Sequence, residues 1–266
     1  MEMNSKTQRS WFTFICFLIS IGVIAAVGVG CSSSMKMINC RETFAEFYVD
    51  PSVARKNVPP GYNVRIHPNG KAMLLMLEQD CERCVLKHII TIRPMRMSHL
   101  WIELDGPAEV GPPLPGTAES LPTSYWYSLP HQMDSSLAHL SFSLVGIDTQ
   151  HVATITFSGQ PGEQQTGVVV ENAGGAKYAW TEKSQIWPTP KLVTGRRWFY
   201  REYGQHRKTE SKGIVTCKAS FLGEGTIELE ADANSSIGAL GFGTALQGTS
   251  NVVKIDCDVL IDVQGR

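Results

Sequence analysis

The chain has 266 residues, a formal net charge of -1 and 18% charged residues, which leaves no electrostatic footprint for nucleic acid. Its 24 glycines and 14 prolines favour many turns over long helices. The length is enough to bury a full hydrophobic core.

Lys6 and Arg9 precede an uncharged stretch from Trp11 to Gly30, and Cys31-Ser32-Ser33-Ser34 follows. A basic start, an apolar run and a small-residue exit describe an export signal. Gly28-Val29-Gly30-Cys31 resembles a bacterial lipobox, whose cysteine is acylated and becomes the new N-terminus, although Gly28 stands where that pattern prefers a large aliphatic residue. The resemblance implies lipidation at Cys31 and a chain tethered outside the cytoplasm, in the bacterial cell envelope. Ser32 after the cysteine is similar to the outer-membrane sorting pattern. A run of about 20 residues also suffices to span a bilayer, so an uncleaved anchor with its basic end inside and plain secretion remain open. The expected organisation is a signal or anchor over 1–30, a tether over 31–42 and one β-rich domain over 43–266.

Downstream, Phe44, Phe47 and Tyr48 have helical spacing and predict two helical turns after Cys40. Apolar–polar alternation then predicts strands at 71–79, 85–94, 99–106, 139–147, 151–157, 166–172, 196–204, 213–221 and 226–232. The clearest is 251–263, where Val253, Ile255, Cys257, Val259, Ile261 and Val263 alternate with Lys254, Asp256, Asp258 and Asp262. The glycine-broken 234–248 reads as a short helix or a loop. The predicted fold is mostly β, an antiparallel sandwich or barrel around a central pocket, with one or two short helices.

The cysteines are best read as oxidised, because an exported chain meets an oxidising compartment. Cys81 and Cys84 flank Glu82-Arg83 at the tip of a predicted hairpin, where a local bridge, or one to Cys40, is expected. Cys217 and Cys257 lie on alternating strands and make a second candidate bridge, which leaves Cys40 as the odd cysteine. A zinc site lacks its second cysteine pair, and no cofactor or metal is required by any motif.

Met95, Met97, His99, Trp101 and Glu103 share one face of a predicted strand. Thioether and imidazole ligands suit Cu(I), but methionine on a central strand is also ordinary core filling. His131 and Met133 would extend such a ligand set, with nothing in the sequence to bring them near. The proline-rich connection from Asp105 to Pro130 ends in Tyr125, Trp126 and Tyr127. With His131, His99, Trp101 and Glu103 these are the candidate lining of a pocket for a small apolar molecule. No nucleophile sits in a recognisable catalytic frame.

Residues 46–77, with their Pro59-Pro60-Gly61 turn and following apolar strand, resemble the opening of acetoacetate-decarboxylase-like proteins. The 196–204 segment and the glycine-rich 237–243 are similar to that family's second half. The resemblance implies an antiparallel β fold around a buried cone-like pocket and, in the family's enzymes, a Schiff-base lysine. Asp148, Thr149 and Gln150 stand where that lysine is expected, and no lysine lies between Lys87 and Lys177. The expected function is therefore a non-catalytic binding or structural domain on a membrane-tethered lipoprotein, with no nucleic-acid partner. The alternatives are a lyase with a relocated lysine, at Lys177, Lys183 or Lys191, or a copper- or redox-handling lipoprotein.

Overall fold

The computed structural model describes residues 33–86, 90–106, 123–144, 149–159, 164–172, 175–189, 194–203, 207–217 and 220–265. Cys31, the apolar run, Asp148 and Lys191 lie outside the described residues. In chain order the elements are β1 (Ser33–Val49), α1 (Pro51–Lys56), β2 (Ala72–Leu86), β3 (Ile90–Ile92), β4 (Met95–Leu104), β5 (Thr123–Met133), α2 (Ser136–Leu144), β6 (Gln150–His151) and β7 (Thr154–Ser158). They continue with β8 (Gln164–Val170), β9 (Lys177–Thr189), β10 (Thr194–Tyr203), β11 (Arg207–Cys217), β12 (Ser220–Ala231), a 3-10 turn at Gly238–Leu240, and β13 (Ala245–Gly265).

The strands form one 13-stranded sheet. The path β1-β2-β4-β5-β10-β11-β13 returns to its start because β13 also pairs with β1, so these strands close into a ring. At 21 residues, β13 is long enough to serve two neighbours. Its last part pairs with β11, and its first part carries β12, from which β9, β8 and β7 extend as a wing. The sheet is not purely antiparallel, since β5 runs parallel to both β10 and β6.

The wing covers one face of β1, β2 and β4. Ala45, Phe47, Leu74, Met76, Leu100 and Ile102 pack there with Val169, Tyr178, Trp180, Ile227 and Leu229. The opposite face of the same strands carries Phe44, Met73, Leu75, Leu77 and Trp101, which pack with Trp126. Strands covered on both faces read as continuous apolar runs rather than as alternation, which accounts for the unbroken Ala72 to Leu77. Each such side chain contributes about 1.5–3 kcal/mol by leaving water.

Three local expectations are corrected. The two helical turns after Cys40 are strand, because β1 pairs along its length with β2 on one side and β13 on the other, and tertiary pairing overrides a short helical pattern. β1 also begins at Ser33, inside the stretch expected to be a tether. Over 139–144 the expected strand is instead α2, whose Ala138, Ser141 and Phe142 are buried at helical spacing while Leu137 and Leu140 are exposed; the rest of the expected strand lies outside the described residues. Ser135 accepts from the Ala138 amide at 3.2 Å and caps its first turn.

Candidate functional site

Between the ring and the wing, a line of polar side chains crosses the apolar core. Glu78 on β2 meets Ser98 on β4, with Oε1 and Oγ 2.6 Å apart. Ser98 in turn touches the Tyr178 hydroxyl on β9, and Tyr178 donates to Gln132 Oε1 on β5. Gln132 Nε2 donates to Glu171 Oε1 at 2.8 Å and to Ser236 Oγ at 2.7 Å, and reaches Gln150 Oε1 on β6 at 3.4 Å. Ser236 closes the outer end by donating its hydroxyl to Glu171 at 2.5 Å and its amide at 2.9 Å. Glu78, Ser98, Gln132 and Tyr178 are all buried, Glu171 and Ser236 are half-buried, and Gln150 is exposed.

Three contacts join Glu78 to Ser98, Ser98 to Tyr178 and Tyr178 to Gln132. Ser98 donates to Glu78 Oε1, and either hydroxyl can supply the hydrogen between Ser98 and Tyr178. Burial pushes the Glu78 carboxyl up to about 8, against the opposing pull of the Ser98 hydroxyl and the Trp180 indole N–H, so it holds its proton at neutral pH. Burial, followed by the Glu78 charge, likewise raises Tyr178 well above the ordinary phenol range.

Glu78 Oε2 and Trp180 Nε1 have no hydrogen-bond partner; the indole acts on the carboxyl through its dipole rather than by an aligned bond. Both residues line a cavity of about 10 Å³ with Arg41, Thr43, Asp80 and Phe157, roughly the space one water needs. Trp180 can lie there because Gly167 opposes it on β8. A Cβ at Gly167 would stand 2.3 Å from the indole nitrogen. Arg41 enters the same hollow and donates to the Gly159 carbonyl at 3.0 Å and to Gln165 Oε1, while Gln165 donates to Glu182 at 2.8 Å. Burial lowers the Arg41 pKa, and the charges of Asp80 and Glu182 oppose that shift. The hollow thus combines a neutral acid with a cationic donor, a pair able to polarise a carbonyl and hold a carboxylate.

The seven residues expected to line a pocket are split between two faces. His99, Trp101, Trp126 and His131 share the face away from the wing: the His99 ring stacks on Trp101 at 5.1 Å and lies 3.6 Å from His131, centroid to centroid, and Trp101 packs with Trp126. Glu103, further along β4, is buried against Arg65 Nη1 at 2.9 Å and His67 Nε2 at 2.7 Å. Tyr125 and Tyr127 belong to the wing-side core, with Tyr127 edge-on to Tyr62. Sequence reasoning missed Glu78, Ser98, Gln132 and Tyr178. The available signal was a run of polar residues, Glu78-Gln79-Asp80, ending an apolar strand.

Of the two bridges expected at Cys81 and Cys84, the structure has the one to Cys40 and not the local one. Cys81 bonds to Cys40, its partner across β1, and Cys84 is free and buried. β2 runs straight through Glu82-Arg83 with no hairpin tip. In extended chain a three-residue step places side chains on opposite faces about 10 Å apart, beyond disulfide reach. Cys217 and Cys257 are register partners on β11 and β13. Lys177 and Lys183 are exposed, as is every other lysine whose side chain is described.

No protein-family model and no curated protein matches the chain by sequence. Solved structures share its fold. An acetoacetate decarboxylase from Legionella pneumophila superposes with a TM-score of 0.56 at 11% identity, over 85% of this chain and 84% of that one. The enduracididine biosynthesis enzyme MppR, complexed with the condensation product of pyruvate and imidazole 4-carboxaldehyde, gives 0.52 at 12% identity, over 89% and 88%. A second acetoacetate decarboxylase structure gives 0.52 at 8%, over 84% and 87%. The chain therefore has the acetoacetate-decarboxylase-like fold that its opening resembles. The expectation of a non-catalytic domain is corrected by the same finding, because the proteins found to share this fold are enzymes.

Proposed function

We propose that the protein is an enzyme of the acetoacetate-decarboxylase-like fold that acts on a small oxo acid through hydrogen-bond and acid catalysis, without a Schiff base. The observation that carries this reading is the neutral Glu78 beside Arg41, at the buried end of the Ser98–Tyr178–Gln132 line. Gln150, at a position where the family resemblance expects an amine, touches the outer end of that line.

For a 3-oxo acid the chemistry runs as follows. Arg41 holds the carboxylate, and the Glu78 acid donates to the ketone oxygen. Cleavage of the carbon–carbon bond releases carbon dioxide, and the bonding pair moves into an enolate whose oxygen takes the Glu78 proton. The enol leaves and ketonises in solvent, and Glu78 regains a proton from water. A buried neutral acid stabilises such an oxyanion in the same way as the protonated carboxyl of ketosteroid isomerase. The relative that carries a pyruvate–aldehyde condensation product extends the candidate substrates to 2-oxo acids paired with aldehydes. The hollow has room for about one water, so a substrate would enter only if a rim residue such as the half-buried Phe157 gave way.

The test is turnover of a panel of 3-oxo acids, and of pyruvate with aldehydes, in the presence and absence of borohydride. Turnover that survives borohydride and falls about 10²–10³-fold in Tyr178→Phe and Glu78→Gln is the expected result. A borohydride-trapped adduct, or wild-type rates in both variants, would overturn the reading. We further propose that the enzyme is held at the cell envelope by acylated Cys31, on the strength of the lipobox-like residues 28–31. An intact mass from native membranes lacking residues 1–30 and carrying acyl chains is expected, and a full-length mass would exclude it.

A further inference from the structure

The side of β4 that faces away from the wing carries a second constellation. Between Met97 and His99 the antiparallel pairing with β5 is uniform: Met97 lies opposite Met133 and His99 opposite His131, and the register shift falls only beyond His99. Two residues apart on each strand and directly opposed between strands, the four side chains make a cross-strand square on one face. All four are buried, Met97 and Met133 fully. The two imidazole rings approach to 3.6 Å between centroids. Phe142 from α2 touches His131 edge-on and packs in the same cluster as both methionines, closing the square from above.

Neither Nδ1 nor Nε2 of His99 has a hydrogen-bond partner. An imidazole buried with both nitrogens unsatisfied is costly and needs a reason. A neutral imidazole with no hydrogen-bond partner keeps a lone pair free for a metal. Two imidazoles and two thioethers in an apolar shell are soft, uncharged donors that suit a monovalent copper ion and suit zinc, magnesium or calcium poorly. Among the described residues no three of His, Cys, Asp and Glu come together as ligands, so thioethers are needed to complete the set.

We propose that Met97, His99, His131 and Met133 form a Cu(I)-binding site, separate from the Glu78 hollow and on the opposite face of β4. Met35, Met37 and Met95 pack in the same cluster as Met97 and Met133, and supply a soft, water-poor surround that favours Cu(I) over Cu(II).

The experiment is anaerobic Cu(I) titration of the full-length protein in detergent, in competition with bicinchoninate, with copper-edge absorption on the loaded sample. One Cu(I) per chain with both sulfur and imidazole shells is expected. Stoichiometric binding should be lost in the Met97→Leu, Met133→Leu double variant, which conserves core volume. Binding should also be lost in His99→Phe, which leaves the methionines in place, and retained in Cys84→Ser. Absence of binding in the wild type, wild-type-like binding in the double variant, or a sulfur-only shell that disappears in Cys84→Ser would each overturn the proposal.

Discussion

The two faces of β4 treat buried polar groups in opposite ways. On the wing side Ser98 is bonded on both sides, in a line that runs from Glu78 to Glu171. One residue along and on the other face, His99 is equally buried and bonded to nothing. A network bonded along its length makes a core rigid, even though its inner end leaves Glu78 Oε2 open to the hollow. An unsatisfied ring in an apolar cluster stores a cost that only an absent partner relieves. The difference separates a site that is already assembled from one that awaits its ligand, and substitutions on the two faces should therefore differ in size and sign.

The largest effect belongs to the wing side. Trp180 is 2% exposed and lies over Gly167, so Trp180→Ala should cost about 3–5 kcal/mol, measured by urea unfolding. Gly167→Ala should act in the same direction by pushing the indole off its seat, and an unchanged unfolding midpoint would mean that the close approach is not needed.

A smaller effect distinguishes the two faces by pH. Glu78 keeps its proton to about pH 8 when folded, from an ordinary value of 4.5. Between those values unfolding releases a proton, so stability falls with rising pH by about 1.4 kcal/mol per unit. His99 acts in reverse: its folded value of about 3 lies below the ordinary 6.5, unfolding takes up a proton between them, and stability falls as pH drops. The two slopes cancel between the ordinary Glu and His values, which leaves a decline from about pH 6.5 to 8 to which Glu78 contributes. Glu78→Gln should flatten that decline in a series of denaturant titrations, and its persistence would mean that Glu78 is ionised in the native state.

How much of this could be read from the sequence follows from which forces are local. The strands at 71–79, 226–232 and 251–263 were legible because alternation, or unbroken apolarity, is a property of consecutive residues. The face shared by Met97, His99 and Trp101 was legible for the same reason. What closed the square was the pairing of β5 with β4, in a segment that reads from the sequence as the end of a proline-rich connection although it is strand from Thr123, so His131 and Met133 had no visible neighbour. Glu78 and Tyr178 are 100 residues apart on strands that meet only because the wing folds back. Cys40 could be read as odd or as bridged to the Cys81 region, because its partner depends on β1 being strand, and Phe44, Phe47 and Tyr48 mimic a helix. Contacts between strands distant in sequence decided each of these.

Removing one hydroxyl at the assembled site should be felt. Tyr178→Phe breaks the line between Ser98 and Gln132 and leaves both facing a ring that cannot bond, at a cost of about 1–3 kcal/mol. The smallest effect is expected from the corresponding change on the other face, and it is the sharper test. His99→Phe removes two buried polar atoms that have no partner to lose and keeps a flat ring against Trp101. Exchanging an unsatisfied group for an apolar one of similar shape is near neutral or stabilising, so in metal-free protein the melting temperature should hold or rise. A drop of the Tyr178→Phe size would show that His99 is bonded in the native state, and the contrast between the faces would fail. With Cu(I) present the sign should reverse, because only the wild type gains the stabilisation of a ligand that binds the folded chain alone.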